Sequence, residues 1–264
     1  MNSIFQRLAV SLPALRKAFA VGVSASAMLL FAASAQANSF QNGSFEQTTG
    51  GSSGELNFGG FSATGWTTTG YNFLYNAGTA DVGGSGPIGQ YGTVILWGPN
   101  SGSANGLPAS SPDGGNFVAA DGAFEVGPIT QTITGLTPGK SYTVGFWWAG
   151  AQQQGFTGAN TEQWVVDLGS DPTQSTSVYN NTTGGFSGWQ YQSFDFTANG
   201  GTEVLSFLAV GTPAGVPPFS LLDGVTFSQE ETNVVPEPAT LPLIFLGLIA
   251  GLGFLRSRNW LRAS

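Results

Sequence analysis

The 264-residue chain contains no cysteine and no histidine. Without cysteine the fold has no disulfide staples, and a chain of this size can hold together by burial alone. Without histidine or cysteine there is no Ser-His-Asp or Cys-His arrangement and no ordinary zinc site. Basic residues are nearly as scarce. Between Asn38 and Val235, Lys140 stands alone against fourteen acidic residues, a net charge of −13. Such a region has no cationic stripe to displace counterions from phosphates, which excludes nucleic acid and anionic lipid as its partners. Self-repulsion keeps it in solution, and its carboxylates are a supply of oxygen ligands for calcium. Helical periodicity is also missing from this region.

Aromatic residues are plentiful, at 12% of the chain, so there is apolar bulk for a core despite the low charge content. They recur in alternating segments punctuated every ten residues or so by Gly, Ser, Thr and Asn. The clearest predicted strands are Ile129–Thr134, Ser141–Ala149, Gln163–Leu168, Gln190–Thr197, Val204–Val210 and Leu221–Ser228. Asn42–Glu46 and Tyr91–Trp97 also read as strands, Gly50–Gly54 as a flexible loop and Asn100–Gly115 as a long surface loop. Pro138-Gly139 suits a type II turn between the first two clear strands. Gly83–Gly86 is turn material, since no helix follows it to receive a phosphate. Many short strands without internal repeats predict one all-β domain over 38–228, an antiparallel β-sandwich. Residues 229–235 form a polar linker.

Both ends carry addresses. Arg7, Arg16 and Lys17 precede an apolar run from Ala18 to Ala33, and Ala35-Gln36-Ala37 offers the small-x-small pattern that signal peptidase accepts. The run is short and interrupted by Ser24 and Ser26, which favours a cleaved signal helix over 1–37 rather than a permanent anchor. At the other end, Pro236-Glu237-Pro238 precedes an apolar stretch closed by Arg256, Arg258 and Arg262. A helix over about 239–255 would rise roughly 26 Å, enough to cross a bilayer, with the arginines holding its end in the cytoplasm. This order of motif, span and basic end resembles a PEP-CTERM sorting signal over 236–264. The resemblance implies recognition by an exosortase-type processing enzyme in an exopolysaccharide-producing bacterium. It also implies export through the inner membrane, a transient membrane anchor, and then a cell-surface or extracellular destination.

The domain itself resembles the galactose-binding-like jelly-roll superfamily that includes many carbohydrate-binding modules. Asn42-Gly43-Ser44-Phe45-Glu46 looks like its opening strand, Ile129–Ile133 with Tyr142–Trp148 like its central hairpin, and Leu221–Phe227 like its closing strand. Members often carry two acids in the closing strand, whereas here Asp223 is followed by Gly224. The resemblance implies a structural calcium at Glu46 and Asp223, and no other cofactor is required.

Sugar rings stack their C–H faces on exposed aromatic faces beside polar groups. Alternation in Ser141–Ala149 assigns Tyr142, Val144, Phe146 and Trp148 to the core and turns Trp147 to the other face. If Phe194 and Phe196 are core, Tyr191 and Asp195 share the face of Trp147. Trp147, Tyr191 and Asp195 are therefore the candidate glycan-binding set. No two acids stand out as a glycoside-cleaving pair. The expected protein is a non-enzymatic, exosortase-sorted surface or matrix protein whose partner is extracellular polysaccharide. The alternatives are a purely structural or adhesive matrix protein and, third, a carboxylate-based glycoside hydrolase.

Overall fold

The computed structural model describes residues 38–230. The signal segment with Ala35 and Ala37, and the sorting segment with Pro236, Glu237 and Pro238, lie outside the described residues, as do the expected helices at both ends. No family of helices competes with strands here: the described residues contain strands, turns and irregular chain only.

The chain opens with short pairings, β1 (Thr48–Thr49), β2 (Gly54–Glu55), β3 (Ser62–Ala63) and β4 (Thr67–Thr68), followed by β5 (Asn72–Tyr75). A long excursion then carries only the small hairpin β6 (Ile88–Gly89) and β7 (Gly92–Thr93). After it come β8 (Phe117–Asp121), β9 (Ile129–Thr134), β10 (Ser141–Gln152) and β11 (Asn160–Leu168). The remainder is β12 (Gln174–Ser175), β13 (Tyr179–Asn181), β14 (Gln190–Thr197), β15 (Thr202–Thr212) and β16 (Pro218–Gln229). Two six-stranded antiparallel sheets result, a first in the order β14-β10-β16-β8-β5-β2 and a second in the order β12-β11-β15-β9-β4 with β13 also on β11, while β1-β3 and β6-β7 are separate two-stranded pairs.

The inner faces meet as alternation predicts. Tyr142, Val144, Phe146 and Trp148 of β10 pack in one core with Trp164, Val166 and Leu168 of β11 and with Leu205 and Phe207 of β15. The first sheet, β14-β10-β16-β8-β5-β2, is covered on its outer face as well. Phe73, Tyr75, Phe117, Ala119, Phe219 and Leu221 form a second core there, beneath Val94, Leu96 and Leu107 of the excursion. Strands covered on both sides show no alternation, so β5 and β8 are buried at every position.

Several sequence expectations are corrected. Residues 129–133 and 142–148 are strands but not a hairpin: β9 pairs β4 and β15, whereas β10 pairs β14 and β16 in the opposite sheet. The connection crosses between sheets because both strands direct their apolar residues into the same core from opposite sides. The turn itself forms as read, with the Lys140 amide donating to the Thr137 carbonyl at 3.1 Å and Gly139 at φ 79°.

Asn42–Glu46 is a tight turn, not a strand. Asn42 and Phe45 are left-handed (φ 52° and 54°), and the Asn42 side chain ties Gln47 and Thr64 to the turn. Gly43 is needed there because its carbonyl accepts from the Val225 amide at 2.9 Å, so close that any side chain would overlap the Val225 carbonyl. Tyr91–Trp97 contributes only β7 and a single bridge from Leu96 to Gln153. Asn100–Gly115 has no strand, but Leu107 and Ser111 within it are buried. Gly54, read as the end of a loop, begins β2 and is buried.

Candidate functional site

The β14 edge of the first sheet brings the sequence-derived set onto one face. Trp147 lies opposite Tyr191, and Thr143 opposite Asp195, in the β10–β14 register. The Trp147 and Tyr191 rings stand edge to face with centroids 5.3 Å apart, and Tyr191 is 54% exposed. Gly145 makes this possible, because a methyl group there would overlap the Tyr191 hydroxyl. Asp195 is four residue pairs further along and accepts from the Thr143 hydroxyl at 2.7 Å, so its carboxylate is held apart from the two rings.

On its other side Trp147 pairs with Asp223, across a bulge that shifts the register between Gly145 and Trp147. Gly224 occupies that bulge at φ 55°, with Trp147 and Asp113 where a side chain would stand. This backbone requirement accounts for the glycine after Asp223. Asp223 is fully buried, and burial is the main cause that raises its carboxyl to about 8. The Ser111 hydroxyl donates to Oδ2 and opposes the shift, while Asp113 and Glu46 add to it by repulsion. Oδ1 has no hydrogen-bond partner.

Glu46 and Asp223 are thus electrostatic neighbours, and Glu46 Oε1 accepts the Asn116 amide at 2.6 Å. An orphaned carboxylate oxygen beside a second acid fits an oxygen-seeking cation. Among the described residues, however, no three His, Cys, Asp or Glu side chains gather closely enough to hold a metal ion.

A second location was not foreseen. At the far end of the same outer face lies a cavity of about 410 Å³ lined by Tyr71, Tyr91, Phe124, Phe156, Asp121 and Gln153, among others. Tyr71, Tyr91 and Phe124 form one wall, each ring 5.3–5.7 Å from the other two. Tyr91 is 63% exposed and Phe124 44%, which is unusual for rings in a well-packed sandwich.

Asp121 ends the buried strand β8 and is only 2% exposed. Its Oδ1 accepts the amides of Ala123 and Phe124 at 2.8 and 3.1 Å, while Oδ2 has no partner. Burial raises its carboxyl to about 6, and the two amide bonds oppose that shift. The Tyr91 hydroxyl donates to Glu125 at 2.7 Å. Burial, then the charges of Glu55, Asp121 and Glu125, push the Tyr71 hydroxyl up to about 12. The lining comes from segments far apart in sequence, so no local spacing announces it. The one local signal is an acid closing the apolar run Phe117-Val118-Ala119-Ala120-Asp121.

The molecule is therefore an antiparallel β-sandwich with two exposed aromatic patches beside buried carboxylates. No protein-family model matches the chain. Halomucin of Haloquadratum walsbyi is 27% identical over 201 residues, a match that covers 75% of this chain and 2% of halomucin. Among solved structures, one described as "CBM4 structure and function" is 19% identical, covers 73% of this chain and 100% of that one, and has a TM-score of 0.33. The N-terminal cellulose-binding domain of Cellulomonas fimi β-1,4-glucanase C is 17% identical, with coverages of 58% and 93% and a TM-score of 0.27. The enzymatically active domain of bacteriophage CBA120 tailspike protein 4 is 16% identical, with coverages of 73% and 21% and a TM-score of 0.35. At these TM-scores none carries an argument. The sandwich assignment rests on the strands and registers themselves.

Proposed function

We propose that this chain is an exported, non-catalytic glycan-binding protein of the cell surface or extracellular matrix, and that the aromatic cavity at Asp121 is its principal site. The observation that carries this reading is the cluster of exposed rings around an unpartnered, buried carboxylate oxygen. Ring faces take the C–H face of a sugar, and a carboxylate accepts its hydroxyls. Trp147, Tyr191 and Asp195 form a secondary patch. Glu46 and Asp223 hold a structural calcium.

Isothermal titration of the chain against the producer's own polysaccharide tests the reading. Tyr91→Ala and Phe124→Ala should each weaken binding about tenfold, the loss of roughly 1.4 kcal/mol per contact. Trp147→Ala and Tyr191→Ala should weaken it less; the reverse ranking would move the site to the sheet edge. Thermal melts in calcium and in chelator accompany the titration. The calcium site predicts a higher Tm with calcium that Asp223→Asn abolishes, and superimposable curves retire it.

The alternative is a structural or adhesive matrix protein. The excursion over 76–116 favours it, because it covers much of the sheet face on which a polysaccharide could lie. Absence of binding by the wild-type chain would leave that alternative standing.

The terminal motifs support export, transient anchoring and handover to an exosortase-type enzyme. Mass spectrometry of protein from native cells should find a mature N-terminus at Asn38 and no peptide reaching Arg262. An intact tail in the surface form would contradict processing.

A further inference from the structure

We infer that the Asp121 cavity selects an ammonium group, carried by an amino sugar of the bound glycan. This rests on the glycan reading above and names the kind of sugar. Three observations carry it. First, the wall of the cavity is three aromatic rings packed at near-right or steep angles, Tyr71 on Phe124 at 89°, Tyr91 on Phe124 at 65° and Tyr71 on Tyr91 at 49°. Tyr91 and Phe124 are exposed, whereas Tyr71 is buried against them. A cation held over a face within about 6 Å of its centroid is attracted by the ring quadrupole. Phe156 lines the same cavity.

Second, the charge around those rings has one sign. Asp121 lines the cavity, and Glu55 and Glu125 act on the same Tyr71 hydroxyl. No lysine or arginine lines it, and Lys140 is the sole basic side chain among the described residues. A uronate or sulfated sugar would bring a further anion into this field and be repelled. A protonated amine would be drawn into it.

Third, the acceptors are not all occupied. Glu125 is engaged by the Tyr91 hydroxyl and the Gln90 side chain, and Glu55 accepts the Gln90 amide at 2.7 Å. Asp121 Oδ2 is left without a donor. A buried acceptor without a partner costs free energy that an N–H donor recovers, and a charged donor recovers more.

The test is isothermal titration of the full-length chain with three probes: a glucosamine tetramer, the N-acetylglucosamine tetramer of the same linkage, and choline. The glucosamine tetramer is expected to bind at least about tenfold more tightly than its acetylated counterpart. Asp121→Asn keeps an oxygen for the Ala123 and Phe124 amides, and a melting curve confirms that it folds. It should bring the two tetramers to within about twofold. Equal binding of both tetramers to the wild-type chain overturns the inference and leaves the glycan reading intact. Failure of every sugar, the native polysaccharide included, overturns both. Choline bound while neither tetramer binds keeps the ammonium chemistry but rejects a sugar as its source.

Discussion

Trp164→Ala is expected to destabilise the sandwich by about 3–5 kcal/mol, the range for deleting a fully buried aromatic side chain. Trp164 has no solvent exposure and stands at 90° to Phe207, with ring centroids 6.1 Å apart. Its indole N–H donates at 2.9 Å to the Leu221 carbonyl. Trp164 belongs to β11 and Leu221 to β16, so this one side chain both fills the core and bonds one sheet to the other. Trp164→Phe retains an aromatic ring but no N–H, and should cost less, about 1–3 kcal/mol. Urea unfolding of the three proteins checks the order. A Trp164→Ala loss below about 1 kcal/mol would show that the two sheets do not depend on this contact.

The second large effect is an inverted pH dependence. Glu162 is fully buried, and burial raises its carboxyl to about 8 despite the hydrogen bond that it accepts from Asn181 at 3.1 Å. Its Oε2 is without a partner. The folded-state pKa lies above that of an unfolded glutamate, so between about pH 4.5 and 8 the folded state keeps a proton that the unfolded state has lost. Stability therefore falls as pH rises through that window, by up to about 1.4 kcal/mol per unit. The Tm should drop by roughly 5–10 °C between pH 5 and pH 8.

Asp121 is shifted in the same direction and contributes with the same sign. Glu162→Gln removes one share: its Tm should exceed the wild-type value at pH 8 and approach it at pH 5. Parallel Tm-against-pH curves for the two proteins would show that Glu162 is not the group responsible.

How much of this was legible in the sequence depends on how many faces of a strand are buried. β9 and β14 run over the residues that alternation assigns them, because each has one face in the core and the other outward. The same alternation sent Tyr142, Val144, Phe146 and Trp148 inward and paired Trp147 with Tyr191. β5 and β8 escaped it. Their sequences, Asn-Phe-Leu-Tyr and Phe-Val-Ala-Ala-Asp, carry no period because a second layer of chain covers their outer face. Strand-like composition at Asn42–Glu46 was overridden by two left-handed residues and a close approach to Val225.

Alternation also cannot say which sheet a strand joins. β9 and β10 are joined by a Pro-Gly turn and both bury one face, a pattern that fits a hairpin and a sheet crossing equally well. The registers with β15 and β16 decide for the crossing. The candidate set at the sheet edge was legible for the same reason as its strands, since Trp147 and Tyr191 lie on strands with a clear period. The cavity was not, because Tyr71, Tyr91, Phe124 and Phe156 come from separate segments whose positions depend on the excursion folding back over the sheet.

Composition and local period can encode an acidic all-β domain without disulfides, histidine chemistry or a cationic surface, and the sequence shows that much. Where the exposed rings gather, which carboxylates lose their water and which face of the sheet stays open depend on how distant segments pack. Those outcomes depend on contacts between residues far apart along the chain, such as Ser111 with Asp223 and Tyr71 with Phe124, and no local pattern records them.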